Sequence, residues 1–238
     1  MIIGSKLHYF DEIDSTNEYA KKILGEATEG TVVLADTQTA GKGRLERPWF
    51  SPDGGIYMSA ILFTDKPLLI PVLAGVAICE TFNSYNILLG IKWPNDIFLN
   101  EKKVAGVLTE IIDTTVILGM GINLNITEFP EGLKNTATSI FLETKKRFDK
   151  MMVYNDLCLG LDDAYQLLKR DKSTEVLQKW RNYTIMFGKT VSIETPERLI
   201  IGRVIDIAGN GALVLSLPDG KIERVIAGEC RIVKGSKQ

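Results

Sequence analysis

The stretch Gly41-Lys42-Gly43-Arg44-Leu45-Glu46-Arg47-Pro48-Trp49-Phe50-Ser51-Pro52-Asp53-Gly54-Gly55 can be neither packed core nor regular helix or strand. It holds four glycines, two prolines and three basic side chains in fifteen residues. Glycine carries a large entropy cost in regular elements, and proline removes a backbone donor. Compact domains seldom contain a structureless loop of this length unless it is functional or disordered. A Gly-rich backbone can turn its amide N–H groups toward an anion, and Lys42, Arg44 and Arg47 add charge-assisted donors. The segment is expected to be a mobile lid over a carboxylate or phosphate. A solvated basic loop is the alternative.

The remaining chain is large enough to hold such a loop on a firm scaffold. Its 238 residues, 45% of them hydrophobic, suit one large domain or a medium domain with a small appendage. A net charge of −2 argues against a general nucleic-acid-binding surface. Cys79, Cys158 and Cys230 are scattered without a CxxC pair, and His8 stands alone, which disfavours a zinc site. Cys79 and Cys158 read as packing residues. The start Met1-Ile2-Ile3-Gly4 is too short for a signal peptide, and no apolar run is expected to reach the roughly 18 residues of a membrane span. A soluble cytoplasmic protein without membrane partners is expected.

Periodicity supplies the outline. Leu7 to Phe10 reads as a strand, and Ser15 with Glu18 forms a capping-box pattern ahead of a helix. Thr31 to Ala35 is a β-branched strand leading into the basic loop, and Gly55 to Phe63 resumes as strand. Pro71 opens a buried helix to Cys79. Ile87 to Lys92, Val104 to Ile112 and Thr115 to Leu124 are expected strands, with Asn100 to Lys103 turning into the second. Leu157, Leu161, Ala164, Tyr165 and Leu168 share a helix face, and a second helix covers Ser173 to Tyr183. Beyond Gly188 the pattern changes to short strands, 190–193, 199–205, 212–217, 221–225 and 230–233. Asn210-Gly211 and Asp219-Gly220 mark hairpins. A domain boundary is expected near 186, giving a catalytic domain 1–186 and a small barrel 187–238.

Four other segments carry polar groups at element ends. Asp14-Ser15-Thr16-Asn17 sits at a helix N-terminus, where it can hold a small polar ligand or simply cap the helix. Lys92-Trp93-Pro94-Asn95-Asp96 ends a strand, and Asn95 and Asp96 offer oxygens for hydrogen bonding or a hydrated magnesium ion. An ordinary turn would not need the flanking Lys and Trp. Lys103 stands at the mouth of the apolar run Val104 to Leu108, either as a solvated gatekeeper or as a point charge for phosphate or carboxylate. Gly119 and Gly121, two apart in a strand, signal either close approach of a ligand or a bulge.

Taken in order, these segments resemble the biotin–protein ligase family. The likeness runs through Ser15-Thr16-Asn17, Gln38, the GxGR…RxW loop, KWPND, KxAG with Glu110, GxGIN, and finally Gly228-Glu229-Cys230-Arg231. The resemblance implies an α+β fold: a mixed β-sheet flanked by helices, like the catalytic domain of class II aminoacyl-tRNA synthetases, with a small C-terminal SH3-like β-barrel. The family usually writes the loop GRGRxGRxW. Lys42 here replaces the first Arg and Glu46 the third Gly, so Arg44 is the safer ligand contact, since Lys lacks bidentate geometry. Some members carry an N-terminal helix-turn-helix and act as repressors. About six residues precede the first strand here, so a monofunctional form without specific DNA binding is expected.

The resemblance also implies the chemistry. Biotin and ATP, with Mg2+, give biotinyl-5′-adenylate and pyrophosphate, and a lysine of a biotin carboxyl carrier protein or carboxylase domain then takes the biotin. Lys103 and Arg44 are expected at the reacting carboxylate and α-phosphate, where fixed donors and cations should supply most of the catalysis. Ser15, Thr16, Asn17, Gln38, Gly41, Lys42, Gly43, Arg44, Tyr57, Lys103, Gly106, Gly119 and Gly121 are the implied biotin contacts. Arg44, Arg47, Trp49, Lys92, Asn95, Asp96, Lys103 and Asn123 are those for ATP, with magnesium near Asp96 and Asn123 and no protein-only metal site. No tightly bound cofactor is expected, and a homodimer is. A lipoate or octanoate ligase on the same fold would place a His-Asp pair in its ligand loop, whereas His8 lies outside every motif. A biotin-responsive regulator without enzymatic activity would need a DNA-binding segment.

Overall fold

The computed structural model describes residues 1–233; residues 234–238, the end of the expected small barrel, lie outside the described residues. Strand β1 (Lys6–Ile13) pairs in parallel with β2 (Thr31–Gln38), and helix α1 (Thr16–Lys22) makes the crossover that a parallel pair needs. Ser15 caps α1, its Oγ accepting from the Glu18 amide at 3.4 Å. The Glu18 carboxylate turns instead to Lys21 Nζ at 2.9 Å, so only half of the predicted capping box forms.

From β2 onward the sheet is antiparallel. It adds β3 (Ile56–Phe63), β4 (Gly90–Lys92), β5 (Asp96–Leu99), β6 (Lys102–Ile112) and β7 (Thr115–Ile122) in the order β1-β2-β3-β7-β6-β5-β4. Alternation divides the side chains between two faces. Val32, Leu34, Met58, Ala60, Leu118 and Met120 join one core with α2 (Ile70–Ser84), α4 (Lys150–Lys169) and α5 (Ser173–Tyr183). On the opposite face Val33, Ile61 and Ile117 are buried under Ala20 of α1. That second face continues as a row of paired residues crossing the sheet, Phe10–Ala35–Tyr57–Gly121–Gly106–Asp96–Lys92.

A second sheet holds β8 (Thr190–Glu194), β9 (Leu199–Ile207), β10 (Leu213–Ser216), β11 (Ile222–Val225) and β12 (Glu229–Ile232), ordered β11-β10-β9-β8-β12 and antiparallel throughout. Its inward residues Val191, Ile193, Val204, Leu213 and Leu215 belong to the same core as α2. Gly211 and Gly220 adopt φ of 87° and 84° at the two hairpin turns, a conformation that favours glycine. The expected α+β arrangement, a mixed sheet flanked by helices with a small β unit after it, is what the chain adopts.

Several local expectations need correction. The strand expected over Ile87–Lys92 is only Gly90–Lys92, because the chain leaves α2 through Asn86 at φ 60° and reaches the sheet at Gly90. Lys92 does end β4, but the turn Trp93-Pro94-Asn95 leads into β5, a strand that was not expected and that pairs with both neighbours. Beyond Asn135, where helix was expected without bounds, the chain forms the short α3 (Ile140–Thr144) capped by Ser139, and α4 starts at Lys150 behind the Asp149 cap, a full two turns before Leu157. The run Pro67–Ser84 does have the length and composition of a membrane span; 67% of it is buried in this core.

Candidate active site

The glycine-bearing row opens one wall of a cavity of about 660 Å3. Loop 41–55 covers it, α1 bounds one end, the β4–β5 turn the other, and β12 and segment 133–137 complete the rim. Gly119 and Gly121 keep regular pairing with β3 and β6, which decides between the two readings of this strand in favour of close approach. A Cβ on Gly119 would overlap Asn17 Oδ1, and one on Gly121 would overlap Trp49 Nε1. On Gly106 it would meet the Trp49 ring at 3.0 Å and Lys103 Nζ at 3.2 Å. The glycines are thus a slot for the Trp49 indole and the Asn17 amide. Trp49 Nε1 is buried there without a hydrogen-bond partner among the described residues.

One end of the cavity is a polar knot. The Thr16 amide donates to Gln38 Oε1 at 2.9 Å, and Gln38 Nε2 donates to Ser51 Oγ at 2.9 Å. Ser59 Oγ lies 2.7 Å from Thr16 Oγ1 and 2.5 Å from Asn17 Oδ1, while Asn17 Nδ2 donates to Glu110 Oε2 at 2.8 Å. Ser15, Thr16, Asn17, Ser51 and Ser59 are all buried, so each polar atom left over faces either a partner or the cavity.

The other end is charged. Lys103 Nζ lies 2.5 Å from Asp96 Oδ1 and 5.0 Å from the centre of the Trp49 ring, and Lys92 Nζ is 3.6 Å from the second Asp96 oxygen. Arg44 Nη1 donates to the Gly228 carbonyl at 3.1 Å and approaches Asn95 Oδ1 at 3.5 Å. Burial pulls the Arg44 guanidinium below the ordinary arginine value, against the opposing pull of Asp96 and Glu229. Arg47 pairs with Glu229 at 2.6 Å; Arg47 first, then Arg231, hold that carboxyl down at about 2. Asn123 donates through Nδ2 to the Thr138 carbonyl, and its buried Oδ1 has no partner among the described residues.

Most of the expected contacts therefore meet at one cavity: Ser15, Thr16, Asn17, Gln38, Lys42, Gly43, Arg44, Arg47, Trp49, Lys92, Asn95, Asp96, Lys103, Gly106, Gly119, Gly121 and Asn123 line it. Gly41 and Tyr57 do not. The Tyr57 hydroxyl donates to the Pro52 carbonyl at 2.7 Å and braces the end of the loop, and Gly41 is packed against Ser51, Gln38 and the Trp49 carbonyl. The Lys42 ammonium is engaged by Glu46 at 2.8 Å and Glu18 at 3.9 Å. Trp93 belongs to the scaffold: it is buried, and its Nε1 donates to the Gly211 carbonyl of the second sheet.

Sequence reasoning missed Ser51, Ser59 and Glu229 as parts of the site and gave Glu110 no role. The one aliphatic hydroxyl in Ile56-Tyr57-Met58-Ser59-Ala60-Ile61-Leu62 was the available signal for Ser59, since a strand packed on both faces has little other use for it. The loop also has more to bury than its composition suggests: Ser51 is buried, and Phe50 packs on Phe129 with ring centres 5.9 Å apart. A short 3-10 turn, Arg44–Glu46, lies at its tip.

Residues 9–126 match the biotin/lipoate A/B protein ligase family, and residues 186–232 match the biotin protein ligase C terminal domain. The chain is 35% identical over 233 residues to the bifunctional ligase/repressor BirA of Bacillus spizizenii, covering 92% of this chain and 72% of that protein. It is 28% identical over 242 residues to the biotin–[acetyl-CoA-carboxylase] ligase of Mycobacterium tuberculosis, covering 95% and 90% respectively. The solved biotin protein ligase from Aquifex aeolicus in complex with biotin and ATP has a TM-score of 0.89 at 31% identity, covering 97% of this chain and all of that one. The fold and site define a ligase of the biotin and lipoate class. Within that class, the chain belongs to the biotin protein ligase family.

Proposed function

We infer that this protein is an ATP-dependent biotin–protein ligase. The observation that carries the reading is the single cavity joining a neutral hydrogen-bonding knot to a cationic end over a glycine-cleared slot. The knot of Thr16, Asn17 and Gln38, with Ser15 beside it, suits the ureido ring of biotin. Trp49, seated in that slot, gives the cavity an apolar wall that suits biotin's bicycle and chain. Lys103 and Arg44, at the cationic end of the same cavity, are assigned to the biotin carboxylate and the α-phosphate of ATP.

The reaction runs in two steps. A biotin carboxylate oxygen attacks the α-phosphorus, and pyrophosphate leaves. An acceptor lysine amine then attacks the carbonyl of the mixed anhydride, and AMP leaves. Negative charge develops on phosphoryl oxygens in the first step, and Lys103 and Arg44 are fixed cations at that end of the site. Arg47, Lys92, Asn95 and Asn123 are assigned to ATP. Magnesium enters with ATP as part of the substrate. Asp96 and Asn123 are the oxygen donors assigned beside it, and among the described residues no cluster of three His, Cys, Asp or Glu gathers to hold a resident metal.

The acceptor is assigned as the lysine of a biotin carboxyl carrier domain. A cytoplasmic setting and a homodimer complete the reading; the dimer is supported by β1, an eight-residue edge strand with Leu7 and Tyr9 exposed. The proposed division is a catalytic domain 1–186 and a small β unit 187–238. Incubation with labelled biotin, Mg·ATP and a carrier domain should give biotin-dependent pyrophosphate release, then labelling of one acceptor lysine. Activation of lipoate or octanoate in preference to biotin would overturn the reading.

A further inference from the structure

Glu110 lies on the cavity face of β6, two steps along from Leu108 and four from Gly106, yet it reaches the cavity only through Asn17. The two ends of a side-chain amide have the same shape, so the surroundings decide which end points where. A group that can only donate, or only accept, fixes that sense. Two such groups stand at opposite ends of the polar knot.

At one end is the Glu110 carboxylate, which only accepts. Its Oε2 takes Asn17 Nδ2 at 2.8 Å, and its Oε1 takes Lys21 Nζ at 2.7 Å. With its nitrogen so committed, Asn17 presents Oδ1 to Ser59. Ser59 Oγ has one proton and two close oxygens, Asn17 Oδ1 at 2.5 Å and Thr16 Oγ1 at 2.7 Å. Asn17 Oδ1 can only accept, so the Ser59 proton goes there, and the one Thr16 hydroxyl proton is shared between Ser59 Oγ at 2.7 Å and Gln38 Oε1 at 3.1 Å. At the other end the Thr16 backbone N–H, which only donates, fixes Gln38 Oε1 toward itself. Gln38 Nε2 must then donate to Ser51 Oγ, whose own proton goes to the Trp49 carbonyl at 3.0 Å.

We propose that Glu110 is a positioning residue for substrate recognition: it sets the sense of the Asn17 amide and so the donor and acceptor pattern offered to the ureido ring. This rests on the biotin reading above. The ureido group has one acceptor oxygen between two N–H donors. The knot, in the sense set by Glu110, keeps spare N–H protons on Asn17 and Gln38 and spare lone pairs on the Thr16 and Ser15 hydroxyls. Reversing Asn17 would exchange a donor for an acceptor at the same place. The Lys21 ammonium, which burial alone would make easier to deprotonate, is held above the ordinary lysine value by Glu110 and Glu18.

The test is the rate of adenylate formation with biotin and with 2-iminobiotin, which carries an imine in place of the ureido oxygen. Glu110→Gln allows the amide at 110 to donate to Asn17 and so to turn it round. The expected result is a KM for biotin raised about tenfold with kcat within about twofold, the size of one hydrogen bond reversed. The ratio of kcat/KM for biotin over 2-iminobiotin should fall by a similar factor. Lys21→Met breaks the ion pair but leaves Glu110 accepting, so it should leave that ratio at the parent value. Asn17→Asp cannot donate to Glu110 at all and should shift the ratio as Glu110→Gln does, which covers the case of a poorly folded Glu110→Gln. An unchanged ratio in a folded Glu110→Gln, an unchanged ratio in Asn17→Asp, or an equal shift in Lys21→Met overturns the proposal. A parent protein that forms no adenylate from biotin overturns the ligase reading instead.

Discussion

Lys42 and Glu46, the two positions where the loop departs from its family's usual pattern, are ion-paired at 2.8 Å across one turn. The pair sits over the 3-10 turn whose Leu45 and Glu46 both have φ of 56°, a region that costs non-glycine residues energy. Glu46 thus occupies a backbone shape that the family's glycine would adopt freely, and Lys42 is its partner. An ammonium engaged this way is poorly placed to bind a ligand.

Lys42→Ala is accordingly expected to alter kcat/KM for biotin by no more than about threefold, as exposed ion pairs contribute little. Arg44→Ala should cost about a hundredfold or more, because a half-buried guanidinium on the Gly228 carbonyl cannot be replaced by water in the same geometry. Steady-state adenylation by the two variants is the comparison. Equal losses would return Lys42 to the ligand-binding set.

Lys103→Ala should reduce adenylate formation by about two to three orders of magnitude, the range found when a fixed transition-state charge partner is removed. Its melting temperature should stay close to the parent value. Asp96 retains Lys92 at 3.6 Å, so this half-buried carboxylate is not left wholly unpaired. Parallel thermal denaturation and pyrophosphate-release assays decide it. A large fall in melting temperature would mark Lys103 as structural.

Gly121→Ala tests the slot by volume. Its backbone lies in regular strand, which alanine adopts, so any fall in melting temperature should be limited to what displacing the Trp49 indole costs. The new methyl takes the space of the Trp49 indole. The KM for biotin should rise about tenfold or more, a loss comparable to misplacing a positioning group by a fraction of an ångström. Unchanged kinetics would show that Trp49 has room elsewhere.

Glu229 predicts a pH dependence with a definite sign. Its folded pKa of about 2 lies below the ordinary 4.5, so its contribution is complete above that ordinary value and is lost as pH falls toward 2. The parent should therefore be more stable than Glu229→Gln at pH 6, and the difference should shrink between pH 4.5 and 2. Thermal melts of both proteins across that interval measure it. A difference independent of pH would place the effect in packing rather than charge.

Much of this arrangement was legible because its signals are local. The alternation of Thr31–Ala35, the helical face from Leu157 to Leu168 and the two Asn-Gly and Asp-Gly turns each report on neighbours a few residues away. The site was legible for the same reason, since KWPND, KxAG and GxGIN each sit at one strand end. What escaped were partners set by the fold. Arg47 meets Glu229 across 182 residues, and Tyr57, read as a ligand contact, spends its hydroxyl on Pro52. The four-residue β5 was too short to show a period of its own and borrowed its pairing from β4 and β6.

The row Phe10–Ala35–Tyr57–Gly121–Gly106–Asp96–Lys92 crosses every strand of the main sheet on one side. A slip of β7 by a single residue would carry Gly119 and Gly121 into the core beneath α2 and push Met120 and Ile122 up into the slot. Such a sheet could keep its hydrogen bonds and still be unable to recognise substrate. Biotin and ATP therefore stabilise only the correctly paired chain, by mass action. During refolding they act as selectors of strand register as well as reactants.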